Sequence, residues 1–262
     1  MTRTVQNLGL AVLLAAASLP TLAQTTPAPA PEPDYTFTGN AGLFSDYRFR
    51  GISQTDRRPA FQGGFDFTHK SGFYLGNWNS NIDSSLYTGA NLEMDFYGGY
   101  KGAVGDFSYD VGALYYYYNG SGNQALYPGS FKIDNTELYI GAGWGPFSVK
   151  YSHAISDFFG APDSKNSYYV DGSVSYPLAQ MPGLTLVGHV GYQGLKGGAQ
   201  VVEIGGGGPK SSITDWKLGA VYDLSGWQLG ASYIGTNRDL QGPVAGRNIS
   251  SDTLVVSVGK SF

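Results

Sequence analysis

Cysteine is absent from the 262-residue chain, which excludes a disulfide framework, a thiolate metal site and a cysteine nucleophile. Charge is scarce: Asp, Glu, Lys and Arg make up 14% of the residues, against about 25% in a soluble globular domain. Histidine occurs three times, and no carboxylate and histidine cluster has transition-metal spacing. The net charge of −4 lacks the basic footprint of a nucleic-acid binder. Long apolar runs are missing beyond the first two dozen residues, so no transmembrane helix is predicted for the mature chain. Glycine, tyrosine and phenylalanine are abundant, at 39, 20 and 14 residues. Low charge with many aromatics and glycines suits a β-protein whose outer surface does not face water.

The first segment has the layout of a secretory signal peptide. Arg3 supplies a positive start, Leu8 to Leu19 an apolar run broken at Pro20, and Thr21-Leu22-Ala23 the small residues for cleavage after Ala23. The run is too short for a spanning helix. Residues 24–34, with Pro27, Pro29, Pro31 and Pro33, read as an extended periplasmic tether. Residues 35–262 form the third segment, the expected barrel.

From Tyr35 onward the apolar period is two. In Ala90 to Lys101, the residues Ala90, Leu92, Met94, Phe96, Gly98 and Tyr100 lie on one face and Asn91, Glu93, Asp95, Tyr97, Gly99 and Lys101 on the other. A strand separates these sets completely; a helix scatters them. Twelve such segments are predicted. The first spans Tyr35–Arg50, with Phe37, Ala41, Leu43, Tyr47 and Phe49 opposing Asp46, Arg48 and Arg50; the third spans Gly72–Ile82, with Tyr74, Trp78 and Ile82 opposing Asn77, Asn79 and Asn81. Short connections alternate with long ones, as in an outer-membrane barrel with short periplasmic turns and longer outer loops. The fold class expected is therefore an all-β, transmembrane, antiparallel β-barrel of twelve strands, closed by a last strand ending in Phe262. A soluble sandwich would alternate too, but its second face should be charged. Aromatics gather at strand ends, at Phe107, Trp144, Phe147, Tyr176 and Trp227, as interfacial girdles do.

Leu254, Val256, Val258 and Phe262 share one face of the final strand. This resembles the signal that the barrel-assembly machinery of Gram-negative bacteria reads, with Lys260 standing where an apolar residue is usual. The stretch Ser45-Asp46-Tyr47-Arg48-Phe49-Arg50-Gly51-Ile52-Ser53-Gln54-Thr55, continued through Pro59–Asp66 and Ser71–Trp78, resembles the TorF family of proteobacterial porins. The resemblance implies an outer-membrane barrel with a pore. It brings no substrate and no catalytic residue.

The inward register holds Asp46, Asp66, Glu93, Asp95, Asp110, Glu137, Asp171, Asp215 and Asp223, against Arg48, Arg50, Lys101, Lys150 and Lys217. So many charges are tolerated in a wet lumen and not in a dry core. They line a channel and set its field, or they brace a largely plugged barrel; both readings stand at this point. Inward Tyr97, Tyr116, Tyr118, Tyr139 and Tyr169 narrow the passage. Asp46, Arg48 and Arg50 form either a charged ladder at a constriction or a strut locking the first hairpin. Ser152 and His153 are adjacent, so a strand points them apart, which counts against a membrane-embedded hydrolase. Gly205 to Ser211 has Pro209 where a phosphate loop needs glycine, and no helix follows. The expectation is a passive outer-membrane channel for small hydrophilic solutes or ions, weakly cation-preferring, with no cofactor. Its partners are outer-membrane lipid and lipopolysaccharide, the assembly machinery and the solutes. The rivals are a surface-interaction barrel that anchors its loops and, last, an outer-membrane enzyme.

Overall fold

The computed structural model describes residues 33–87, 89–125, 131–243 and 246–262. The signal-peptide and most of the tether lie outside these residues. Twelve strands form one closed antiparallel barrel. They are β1 (Tyr35–Phe44), β2 (Ala60–His69), β3 (Phe73–Asn81), β4 (Leu92–Val104), β5 (Phe107–Asn119), β6 (Asn135–Trp144), β7 (Phe147–Ala154), β8 (Tyr168–Pro177), β9 (Leu184–Gly194), β10 (Ser212–Leu224), β11 (Trp227–Thr236) and β12 (Thr253–Ser261). Each strand pairs with its sequence neighbours, and β12 returns to β1 through the register Asn40↔Ser261 to Phe44↔Ser257. Closure leaves no strand edge, so the ladder satisfies its own backbone groups.

Tight turns at the end that holds both termini fix this up-and-down order. Between β10 and β11 only Ser225 and Gly226 intervene, at φ 53° and 87°, the two-residue turn whose twist matches paired strands. Long connections gather at the opposite end, called here the loop end. No helix among the described residues is long and apolar enough to cross a membrane.

Alternation sets the two faces. Outward positions include Phe37, Phe61, Ile140 and Leu218, the last 72% exposed. Together they form a continuous apolar belt far larger than a water-facing surface tolerates. Trp144, Phe147, Phe107 and Trp227 ring its terminal end, where Trp144 is paired directly with both Phe107 and Phe147. Near the loop end Tyr151, Tyr168 and Tyr192 run across neighbouring strands, with ring centroids 6.0 and 6.2 Å apart.

Two expectations are corrected. The first strand stops at Phe44 rather than Arg50. On β3 the inward face is Tyr74, Trp78 and, just beyond it, Ile82, while Asn77 and Asn79 face outward opposite Phe96 and Met94. Hydropathy misleads here because the bulky residues complete the lumen's filling, and the outward asparagines donate locally. Asn77 donates to the Asp95 carbonyl at 3.1 Å, and Asn79 to the Gly63 carbonyl at 3.2 Å and the Asn77 Oδ1 at 2.6 Å.

Candidate functional site

The stretch Ser45–Thr55 turns into the barrel as a small hairpin. Arg48 pairs with Ser53 and Phe49 with Ile52, and the turn is made by Arg50 and Gly51 at φ 47° and 79°. Both central residues are left-handed, as in a type I′ turn. Asp46 holds the base together. Its Oδ1 accepts the Ser53 hydroxyl at 2.6 Å and the Thr55 hydroxyl at 3.1 Å, while its Oδ2 accepts Arg48 Nε at 2.6 Å. Arg48 also donates to the carbonyls of Gly51 and Ser251. Asp46, Arg48 and Arg50 thus sit on this hairpin, not on β1, because the local polar bonds outcompete continuation of the ladder. Of the two roles weighed for Asp46 and Arg48, the geometry is that of a strut.

The tip crosses the lumen. Arg50 donates through one nitrogen to both Glu137 oxygens, at 2.9 and 2.7 Å, and through another to Gln193 Oε1 at 2.5 Å. Its guanidinium lies 4.3 Å from the Tyr169 ring centre and 4.7 Å from that of Phe49. Such a site suits arginine's planar fork and cannot be served by lysine. A Cβ on Gly51 would collide with the Thr236 side chain and approach that of Asp215 to 2.8 Å.

Below the tip the wall carries the other charges. Tyr169 donates to Asp215 at 2.8 and 2.9 Å; His189 lies between Asp215 and Asp171, with Nε2 2.9 Å from the former. With a carboxylate against each ring nitrogen, His189 bridges β8 and β10. Asp66 accepts from Tyr97 and Asp110 from Tyr74, each at 2.7 Å. Lys150 and Lys101 have their ammonium groups 5.3 Å from the rings of Tyr139 and Tyr74. Lys217 is directly opposite His189. Glu93 accepts from Tyr118 at 2.9 Å, and Asp95 faces Trp78. A cavity of about 260 Å³ between tip and wall is lined by residues that include Arg50, Lys150, Ser152, Asp171 and His189.

The loop end is drier. Tyr47, Ile82, Ala90, Tyr116, Tyr118 and Ile133 form one buried cluster, joined by Phe49, Trp78 and Phe159. Leu195, Ile213, Leu240 and Ile249 form a second, against Ile52 and Phe158. Outer contacts secure the hairpin's return. Arg247 binds the wholly buried Asp56 carboxylate, Arg57 donates to Ser251 Oγ at 2.7 Å, and Arg58 pairs with Asp83 at 2.9 Å. The Ser85 hydroxyl holds the Asp83 carboxyl below its ordinary range; partial burial opposes this, and the Ser85 amide and Arg58 reinforce it.

Ser152 is buried toward the lumen, and His153 points outward to Tyr151 and Asn166. Gly205, Gly206 and Gly207 lie in a loop at positive φ with open space around them. Among the described residues no three His, Asp or Glu side chains converge as a metal site. Sequence reasoning missed the hairpin, the inward Tyr74 and Trp78, and the Asp56 to Arg247 latch. One signal was available: a first strand ending at Arg50 would be much longer than its partner β2, and Arg50-Gly51 is turn chemistry.

Solved porins share this architecture. NanC porin superposes with a TM-score of 0.56 at 13% identity, covering 87% of this chain and 99% of its own. KdgM porin in complex with disordered oligogalacturonate gives 0.51 at 10% identity, covering 87% and 98%. These likenesses establish the fold. No curated protein matches the chain. A family described as "Bacterial protein of unknown function (Gcw_chp)" matches residues 28–262, and the chain belongs to that family.

Proposed function

We propose that this chain is an outer-membrane channel for passive diffusion of small hydrophilic solutes or ions, with the Arg48–Ser53 hairpin as its constriction. The observation that carries the reading is the hairpin crossing a charged lumen to rest on the far wall, with a polar cavity beneath it. A loop folded inward near the loop end narrows a passage without sealing the wall, and a wet lumen tolerates the wall's many charges where a dry core would not. The apolar belt supports a membrane location. The residue 1–23 signal peptide, the 24–34 tether and the Leu254, Val256, Val258 and Phe262 signal for the assembly machinery complete a route to the outer membrane, among lipid and lipopolysaccharide. The TorF resemblance belongs to the same reading, as does the likeness to KdgM, a porin solved with an oligosaccharide.

Weak preference for cations is part of the proposal. Carboxylates favour cations in pores, and Arg48 and Arg50 are both consumed by ion pairs. Single-channel conductance in planar bilayers is the test: steps from the purified barrel support a channel.

The two apolar clusters at the loop end favour a second reading, a barrel plugged at rest that anchors its outer loops. Conductance seen only after residues 48–53 are replaced by a short glycine link would decide for it.

A further inference from the structure

Glu93 and Asp95 are one residue apart on β4, and both face the lumen near its loop end. They are 1% and 8% exposed. Neither has an ion-pair partner among the described residues; the guanidinium that reaches this region, Arg50, is taken by Glu137. Glu93 Oε1 accepts from Tyr118, but Glu93 Oε2 and Asp95 Oδ1 have no donor. Directly across the ladder stand Ser80, opposite Glu93, and Trp78, opposite Asp95.

Buried charges are paired or coordinate metals. Two carboxylates this deep, with unmet oxygens and no ion-paired cation, are relieved by taking up a proton or by a positive charge between them. The available donors are oxygens only, with neither thiolate nor imidazole, which selects a hard ion over a transition metal. The combined charge of two carboxylates is matched by one divalent ion. A pair of carboxylates with the remaining positions left to water is an ordinary set for such an ion.

We propose that Glu93 and Asp95 hold a hard divalent cation, Ca²⁺ or Mg²⁺, in the lumen beside the inner hairpin. The inference rests on the lumen-facing register used above and not on conduction. A barrel that binds the ion but passes no current overturns the channel alone.

The probe is terbium(III), added to the EDTA-treated barrel folded in detergent. Trp78 and Tyr118 are placed to sensitise its emission. The expected result is a saturable emission that Ca²⁺ displaces. It is lost in Glu93→Gln and in Asp95→Asn, and retained in Asp110→Asn, whose carboxylate is at the other end of the lumen. Thermal unfolding gives a second readout. Ca²⁺ raises the midpoint of the wild type but not of Glu93→Gln, which is already relieved of repulsion without the ion. Emission surviving both substitutions overturns the site. So does a wild type with neither emission nor a Ca²⁺ shift; stability falling as pH rises would then assign a proton shared by the two carboxyls.

Discussion

Arg50 and Glu137 meet across the barrel, 87 residues apart in sequence, through two hydrogen bonds of 2.9 and 2.7 Å. Their side chains are 9% and 3% exposed. Removing one member of such a pair leaves the other charged and buried, at a cost of about 3–5 kcal/mol. Arg50→Ala and Glu137→Gln should each destabilise the barrel, and the double variant should recover part of the loss. Urea unfolding in detergent for the four proteins measures the coupling, and additive losses would mean that the pair is not seated as described.

Gly51 stands at φ 79° against Thr236 and Asp215. Gly51→Ala combines an unfavourable backbone region, about 1–3 kcal/mol, with a collision against the Thr236 and Asp215 side chains. The tip should lift from its seat, and single-channel conductance should rise while the strand content seen by circular dichroism is unchanged. An unaltered conductance would remove the tip from the constriction.

The outer face should reject charge and the lumen accept it. Leu218, at the centre of β10, is 72% exposed on the apolar belt; Leu218→Arg should cost about 2–4 kcal/mol. Ser148 faces the lumen near the terminal end, opposite Ser173, and Ser148→Arg should cost far less. Equal losses in bilayer unfolding would contradict the inward and outward register.

Ion selectivity should respond to Lys150 rather than to Arg48. Arg48 is buried in its bonds to Asp46, Gly51 and Ser251, whereas Lys150 makes no ion pair among the described residues and borders the cavity. Lys150→Gln should strengthen cation preference in reversal potentials across a KCl gradient. Arg48→Gln should chiefly lower stability. Anion preference abolished by Arg48→Gln would restore Arg48 as a pore residue.

Acid should loosen the loop end. The folded-state carboxyl of Asp83 lies below its ordinary range, chiefly through the Ser85 hydroxyl. A depressed carboxyl contributes stability that is present above its unfolded value and lost as pH falls through the folded one. Asp83 also ties Arg58 and the Gln54 carbonyl to its loop. Wild-type stability should therefore decline more steeply below about pH 4 than that of Asp83→Asn; parallel curves would dismiss a stabilising role for the Asp83 carboxylate.

The barrel was legible because a twelvefold repeat of period-two alternation has few other physical solutions, and because short and long connections alternate with it. Inward assignment of Asp66, Glu93, Asp95, Asp110, Glu137, Lys150, Asp171, Asp215 and Lys217 follows from the same register. Where a side chain is turned against its polarity, alternation fails. Tyr74 faces inward onto Asp110 and Trp78 packs there against Tyr47, and hydropathy carries no information about such neighbours. The hairpin was hidden for a related reason. Asp46, Arg48 and Arg50 keep perfect two-residue spacing inside the hairpin, so the pattern continues while the chain has left the wall.

The hairpin also changes what kind of mechanical object the barrel is. An unbraced ring of strands resists bending only through bonds between neighbours, and squeezing it from opposite sides turns its circular section into an oval. Here the connection from β1 to β2 is fastened to β6 and β9 through Arg50 and abuts β10 and β11 through Gly51. That makes it an internal brace. A squeeze that drew β6 and β9 together or apart would have to break the bonds to Arg50, so the hairpin should stiffen the section against ovalisation.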